Sequence, residues 1–260
     1  MTYQVFRALE RELLVFARTW RGSAFTAFVQ PMLFLVAMGL GLGGLVDDGP
    51  IAGGASLEGD LDYLAFVAPG LLAASALLSV AGDGLWGVMA GVKWMGQFKG
   101  MVATTMTPGD VYGGLVLSRG IRAFVAAVPF LLVATVLGAV SSWWAPLALV
   151  AALLLGTATM ACLAAYSVRH EDDSTFPLIM RLGIIPLFLF SGTFFPVEQL
   201  PDVVRPVVAL SPLWHGVEVA RDATTGSVDL VTLGHLAVLV VLVVVVVPVG
   251  VRGFVRRLTP

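Results

Sequence analysis

The sequence predicts an all-α polytopic membrane protein, and three observations predict it. Hydrophobic residues make up 58% of the chain and charged residues 12%, where an ordinary soluble domain carries about 25% charge. With a mean hydropathy of +0.94, most of this chain has lipid as its solvent. The apolar residues gather into runs long enough to cross hydrocarbon of ~30 Å at ~20 residues per span. The charges are also sorted. Of the 15 lysines and arginines, only Arg205 and Arg221 fall outside the segments that alternate spans place on one side.

The elements follow in order. Residues 3–21 put Val5, Leu9, Leu13, Phe16 and Trp20 on one helical face and Arg7, Arg11 and Arg18 opposite. This pattern predicts an amphipathic helix lying in the membrane interface, its cations toward anionic headgroups. Ala24 to Leu45 is uncharged and reads as the first span. No small-x-small site closes it, so it does not read as a cleaved leader. Gln30-Pro31 predicts a kink, and Gly39, Gly41, Gly43 and Gly44 make the far end closely packable. Residues 46–62 form an acidic loop with no lysine or arginine.

Tyr63 to Met89 is the second span, with one acid, Asp83, near its inner end. Residues 90–107 return to water with Lys93 and Lys99. Thr107-Pro108-Gly109-Asp110 then starts a helix, with threonine as N-cap and proline in the first turn. That helix is the third span and carries Arg119 and Arg122 early. Residues 141–144 make a turn with a Trp143-Trp144 anchor, 145–168 the fourth span, and 169–174 a polar loop. The fifth span is read as 176–195, with Arg181 near its start, and the sixth as 230–251. Six spans place both termini together, and the cation bias puts that side in the cytoplasm. The chain then divides into the helix 1–23, a six-span domain 24–251 and a tail 252–260.

Between the fifth and sixth spans the chain bends repeatedly. Pro196, Pro201 and Pro212 each remove a backbone donor and restrict the residue before. The spacing predicts two short helices, 202–210 and 213–221. Phe194, Phe195 and Trp214 beside the turns suit a membrane–water boundary.

Few residues could carry chemistry. No G-x-x-x-x-G-K-[ST] phosphate loop occurs, and Gly87, Gly91 and Lys93 lack its spacing. A single cysteine, Cys162, excludes a disulfide framework or a cysteine-based metal cluster within the chain. Ser191 near His215 or His235 is the nearest thing to a nucleophile–base pair, but the better reading is a serine hydroxyl satisfied on a backbone carbonyl in a Ser-Gly pair that allows close packing. Glu171-Asp172-Asp173 is a single acidic run in a loop, where magnesium chemistry would need two. Asp83 is an intramembrane acid, and pairing with Arg119 or Arg122 would neutralise it at shallow depth. In residues 93–106, Trp94, Phe98 and Met101 recur at i, i+4 and i+7, flanked by Lys93 and Lys99. That stripe would lie on the membrane or dock a partner.

The order of these features resembles a family. Ser191-Gly192, Phe195-Pro196 and Leu200-Pro201 spell S-G-x-x-F-P-x-x-x-L-P, and P-L-W-H-x-x-E-x-x-R follows from Pro212 to Arg221. With the amphipathic start and six spans, they resemble the permease subunit of type-2 ABC exporters. Asp62-Tyr63-Leu64-Ala65-Phe66 with Pro69-Gly70, and Thr107 to Asp110, look like the branch of nodulation lipo-oligosaccharide and daunorubicin-type drug exporters. The resemblance implies that the chain itself is no enzyme and holds no cofactor or metal. ATP and magnesium would sit on a separate ABC ATPase, in two copies, docked on residues 93–106. A second permease copy, identical or related, would complete the pore, with membrane lipids as the only other contact and no nucleic acid. The segment after the fifth span would form short re-entrant helices at the outer face. The cargo would be amphipathic or lipid-linked.

Overall fold

The computed structural model describes residues 2–37 and 63–259. Every regular element among them is helical. We label these α1 (Thr2–Leu35), α2 (Tyr63–Trp94), α3 (Gln97–Val102), α4 (Pro108–Val136), α5 (Pro146–Ser167), α6 (Phe176–Phe190), α7 (Arg205–Ala209), α8 (Pro212–Thr225) and α9 (Leu230–Leu258). Four of the described helices are long and apolar enough to cross a membrane: α2, α4, α5 and α9. The glycines at 39–44 and the acidic loop 46–62 lie outside the described residues.

The bundle has two ends. At one, Gln4 donates to Thr105 (3.1 Å) and Phe98 meets Phe254 with ring centroids 5.9 Å apart. This is the terminal end, because α1 begins there and α9 finishes there. At the opposite loop end, Ser141 N–H bonds to the Thr224 carbonyl (3.0 Å), joining the α4–α5 turn to the end of α8.

α5 is the central post. Ala148, Ala151, Ala152, Leu155, Ala158, Ala161 and Ala164 are all fully buried. Small side chains let neighbouring backbones approach, which is how helices associate when lipid offers no hydrophobic drive. α9 is the opposite case. Val240, Val241, Val244 and Val245 are exposed, giving an apolar wall suited to lipid. The caps follow the sequence: Thr107 and Asp110 form a reciprocal capping box on α4, and Asp229 with Thr232 forms another on α9.

Three elements differ from the sequence expectation. α1 runs without a break through residue 23, and its apolar face is spent partly on protein, with Ala8 and Leu9 buried. The reason is α4, whose Gly113 lies beside Val5 and Gly114 beside Ala8, leaving a groove that α1 fills. α6 stops at Phe190 rather than 195, and at ~1.5 Å per residue it falls short of the ~30 Å of hydrocarbon. α9 continues past 251 to Leu258, since Phe254 and Leu258 are apolar and buried on the helical period. Residues 252–258 are thus packed helix, not a free tail.

Candidate functional site

At the terminal end, charged side chains from three helices meet. Asp83 opens a π-helical turn, Asp83–Gly87, inside α2. Such wide turns inside α-helices gather at functional positions. Its Oδ2 lies 2.6 Å from Arg119 Nε and 3.1 Å from Arg122 Nη1, both on α4. The 2.6 Å contact is an ion pair without hydrogen-bond alignment, so the Arg119 Nε–H lacks an aligned acceptor. Arg119 Nη1 also donates to Glu12 of α1 at 3.1 Å. Arg11 contacts the same carboxylate and donates to Gln97 Oε1 of α3 at 2.8 Å. The Arg122 guanidinium stacks 4.9 Å over the Phe16 ring. One continuous set of contacts therefore ties α1, α2, α3 and α4 together.

Glu12 is the member that sequence reasoning missed. Its side chain is 8% exposed. The signal was present: residues 5, 9, 12 and 16 share one helical face, so an acid stood on the apolar side of an amphipathic helix.

The 93–106 segment departs from the predicted stripe. α2 ends in a second π turn, Ala90–Trp94, and Gly96 adopts φ +63°, a left-handed value that glycine tolerates. α3 starts afresh at Gln97, so Trp94 and Phe98 do not share a helical face. Phe98 is 1% exposed, inserted against Gly91 and Phe254. It is a core residue of this chain. Met101 packs partly against the same core. What faces outward is Trp94, Met95 and Lys99, with Lys93 bonded to the Glu171 carbonyl.

The loop end is organised by Arg221. α6 terminates at Ser191, and Gly192 takes φ +78°. The turn precedes Pro196, so the break comes from the Ser-Gly pair and not from that proline. The Gly192 carbonyl accepts from Arg221 Nη2 at 2.6 Å, and Nη1 donates to Glu218 Oε1 at 2.8 Å. The guanidinium lies 4.1 Å over the Phe66 ring of α2. Gly70 of α2 lies against the Thr193 backbone, where a Cβ would come within 2.8 Å of its carbonyl oxygen.

The remaining signature residues build the chain's return. Phe195 sits beside Phe190 with centroids 6.4 Å apart. Beyond Pro196, Val197, Leu200 and Val208 form a small apolar cluster with Phe195, Val204 and Trp214. Pro201 opens a turn closed by Val204 N–H (2.8 Å). Pro212 is the first residue of α8, capped by Ser211. Ser191 Oγ pairs with Ser211 Oγ at 2.9 Å, while His215 Nδ1 faces His235 Nδ1 at 2.6 Å. The serine and the histidines therefore pair separately, and no nucleophile–base geometry forms. No group of three or more His, Cys, Asp or Glu capable of holding a metal occurs among the described residues.

The described residues form an alanine-cored bundle of apolar helices with charges held at its two ends, the build of a membrane-embedded protein. The model of the ABC-2 type transporter family matches residues 3–224, and the chain belongs to that family. Relatives include nodulation protein J of Sinorhizobium fredii, 28% identical over 78% of this chain and 76% of that protein. Nodulation protein J of Rhizobium leguminosarum bv. viciae is 26% identical, covering 85% and 83%. Nodulation protein J of Neorhizobium galegae is 28% identical, covering 96% and 92%. No solved structure matches the chain. Family and apolar helices together make it a multi-pass inner-membrane permease working in transport.

Proposed function

We propose that this chain is the membrane-spanning half of an ATP-driven exporter that moves an amphipathic or lipid-linked molecule outward from the cytoplasm or inner leaflet. The observation that carries the reading is the family match across residues 3–224. In this reading the terminal end is cytoplasmic, with two ABC ATPase subunits supplying ATP and magnesium there. A second permease copy, identical or related, faces the first across the substrate path. The chain crosses the membrane six times, residues 24–45 supplying the first crossing and α6 with the turn that follows it the fifth. α7 and α8 re-enter the outer face.

The ATPase docks on the outward residues of the 93–106 segment, chiefly Trp94, Met95 and Lys99. Phe98 fixes the segment to the bundle, and Arg11–Gln97 carries its displacement into the Glu12–Arg119–Asp83–Arg122 contacts. Two packed arrangements of such a network are what transmit a stroke between elements.

The test is reconstitution in proteoliposomes with and without the ATPase. The permease alone should hydrolyse no ATP. Transport should vanish when the catalytic glutamate of the ATPase is neutralised. Undiminished transport on an ion gradient alone would make the chain a secondary transporter. Absence of transport under every condition would make it an assembly protein.

A further inference from the structure

The terminal end also carries a cation-lined cavity that the ion network does not use. It measures about 480 Å³ and lies between the end of α5 and the end of α9. Arg169 contributes from α5's side, and Arg252, Arg256 and Arg257 from α9. They converge because Gly253 lets α9 approach Val168, whose Cγ1 would stand 2.9 Å from a Cβ there. Arg257 is paired with Glu171. Arg169, Arg252 and Arg256 face no acidic side chain within ion-pair distance among the described residues. Three uncompensated guanidiniums around one cavity make a site for a multivalent oxyanion, and guanidinium forks match phosphate geometry.

The wall above the cavity says which phosphate. Val241, Val245 and Val249 follow one another at i, i+4 and i+8 on α9, all exposed. The same helical row continues into Arg252 and Arg256. An apolar track one helix-side wide thus ends in a basic cavity, the same order of surfaces that a lipid presents from acyl chain to headgroup. A soluble anion would use the arginines alone. A lipid uses both, its acyl chain along the valines and its headgroup among the guanidiniums.

We propose that this cavity binds the phosphoryl headgroup of an anionic membrane lipid. Seated there, the lipid bridges the loop after α5 to the end of α9 and steadies the wall of the bundle.

Native mass spectrometry of the full chain released from nanodiscs tests this. The discs contain equal phosphatidylglycerol and phosphatidylcholine. Wild type should retain phosphatidylglycerol in preference. Each cation near an anionic group contributes about a factor of five, so Arg252→Gln with Arg256→Gln should cut retention roughly 25-fold. The charge-matched control Arg7→Gln with Lys99→Gln, both exposed at the same end, should lower retention far less. Equal loss in the control would mean diffuse attraction and overturn the site. Unchanged retention in the Arg252/Arg256 variant would overturn it too. Displacement of the lipid by millimolar inorganic phosphate would assign the cavity to a free anion instead. If the variant keeps its lipid but loses the ATPase on co-purification, the arginines dock protein and the proposal falls.

Discussion

The two ends of this bundle handle charge in opposite ways. At the loop end, Arg221 takes its partners from a backbone carbonyl and from Glu218 three residues away, under the face of one aromatic ring. The arrangement joins α8 to the turn after α6 and to α2, with the arginine side chain 13% and the Glu218 side chain 25% exposed. At the terminal end, two acids and three arginines are drawn from α1, α2 and α4, as far as 107 residues apart in sequence. Asp83 there is 36% exposed and serves two arginines at once. A closed pair with fixed partners holds a turn in one shape. A network in which Asp83 serves two arginines and Arg119 two carboxylates keeps some of its pairings when helices shift. The lesson is that intramembrane charges must be sorted by how many charged partners they serve before a role is assigned.

The comparison predicts unequal penalties. Arg221→Met should be the most damaging change, because it leaves the Glu218 carboxylate without its cation and the Gly192 carbonyl without its donor. Breaking a buried pair by removing one partner costs roughly 3–5 kcal/mol. Thermal unfolding in detergent should show it, and Arg221→Lys should recover only part. Asp83→Asn, at a side chain about a third open to solvent, should cost about 1–2 kcal/mol yet lower transport more than stability. If the two variants unfold alike, the distinction between the ends is wrong.

A second contrast lies within the 93–106 segment. Phe98→Ala removes a buried aromatic between Gly91 and Phe254, so a loss of about 3–5 kcal/mol is expected. Trp94→Ala with Met95→Ala touches outward residues and should leave stability within ~0.5 kcal/mol while releasing the ATPase. Co-purification from detergent, with permease abundance as control, separates the two. Retention of the ATPase by the Trp94/Met95 variant would move docking elsewhere.

The smallest effect concerns Glu171. Its hydrogen bond from Arg257 holds its carboxyl below the usual carboxylate range. A carboxyl lowered in the folded state contributes stability above its unfolded pKa, and loses it as pH falls through the folded value. A shallow acid-side decline in melting temperature should therefore be present in wild type and weaker in Glu171→Gln. An identical pH profile in both would remove the pair from the account.

Much of this was legible in residue order. The four long apolar helices and the Thr107–Asp110 cap follow from local rules, because helix period and capping are short-range, while the Asp83-to-Arg119 reach followed from the need to neutralise an acid in an apolar run. Glu12 escaped because helix faces were read for apolar residues alone. Phe98 was misread because a φ of +63° at Gly96 resets the helical phase, and the i, i+4 count assumes an unbroken helix. The early stop of α6 was missed because prolines outweighed Ser191-Gly192 as a terminator. The extension of α9 was missed because arginines marked the end of the apolar run while Phe254 and Leu258 kept the buried face going.

All of this rests on which end faces the cytoplasm, and one measurement addresses that directly. In a Cys162→Ser background, single cysteines are introduced as Ser227→Cys at the loop end and as Thr104→Cys or Thr259→Cys at the terminal end. All three positions are exposed. Intact cells are treated with a membrane-impermeant thiol reagent, before and after permeabilisation. The account predicts labelling at position 227 in intact cells, and at 104 and 259 only once the membrane is opened. Labelling of 104 and 259 from outside, with 227 protected, would place the ion network and the docking segment beyond the reach of any cytoplasmic ATPase and contradict the account.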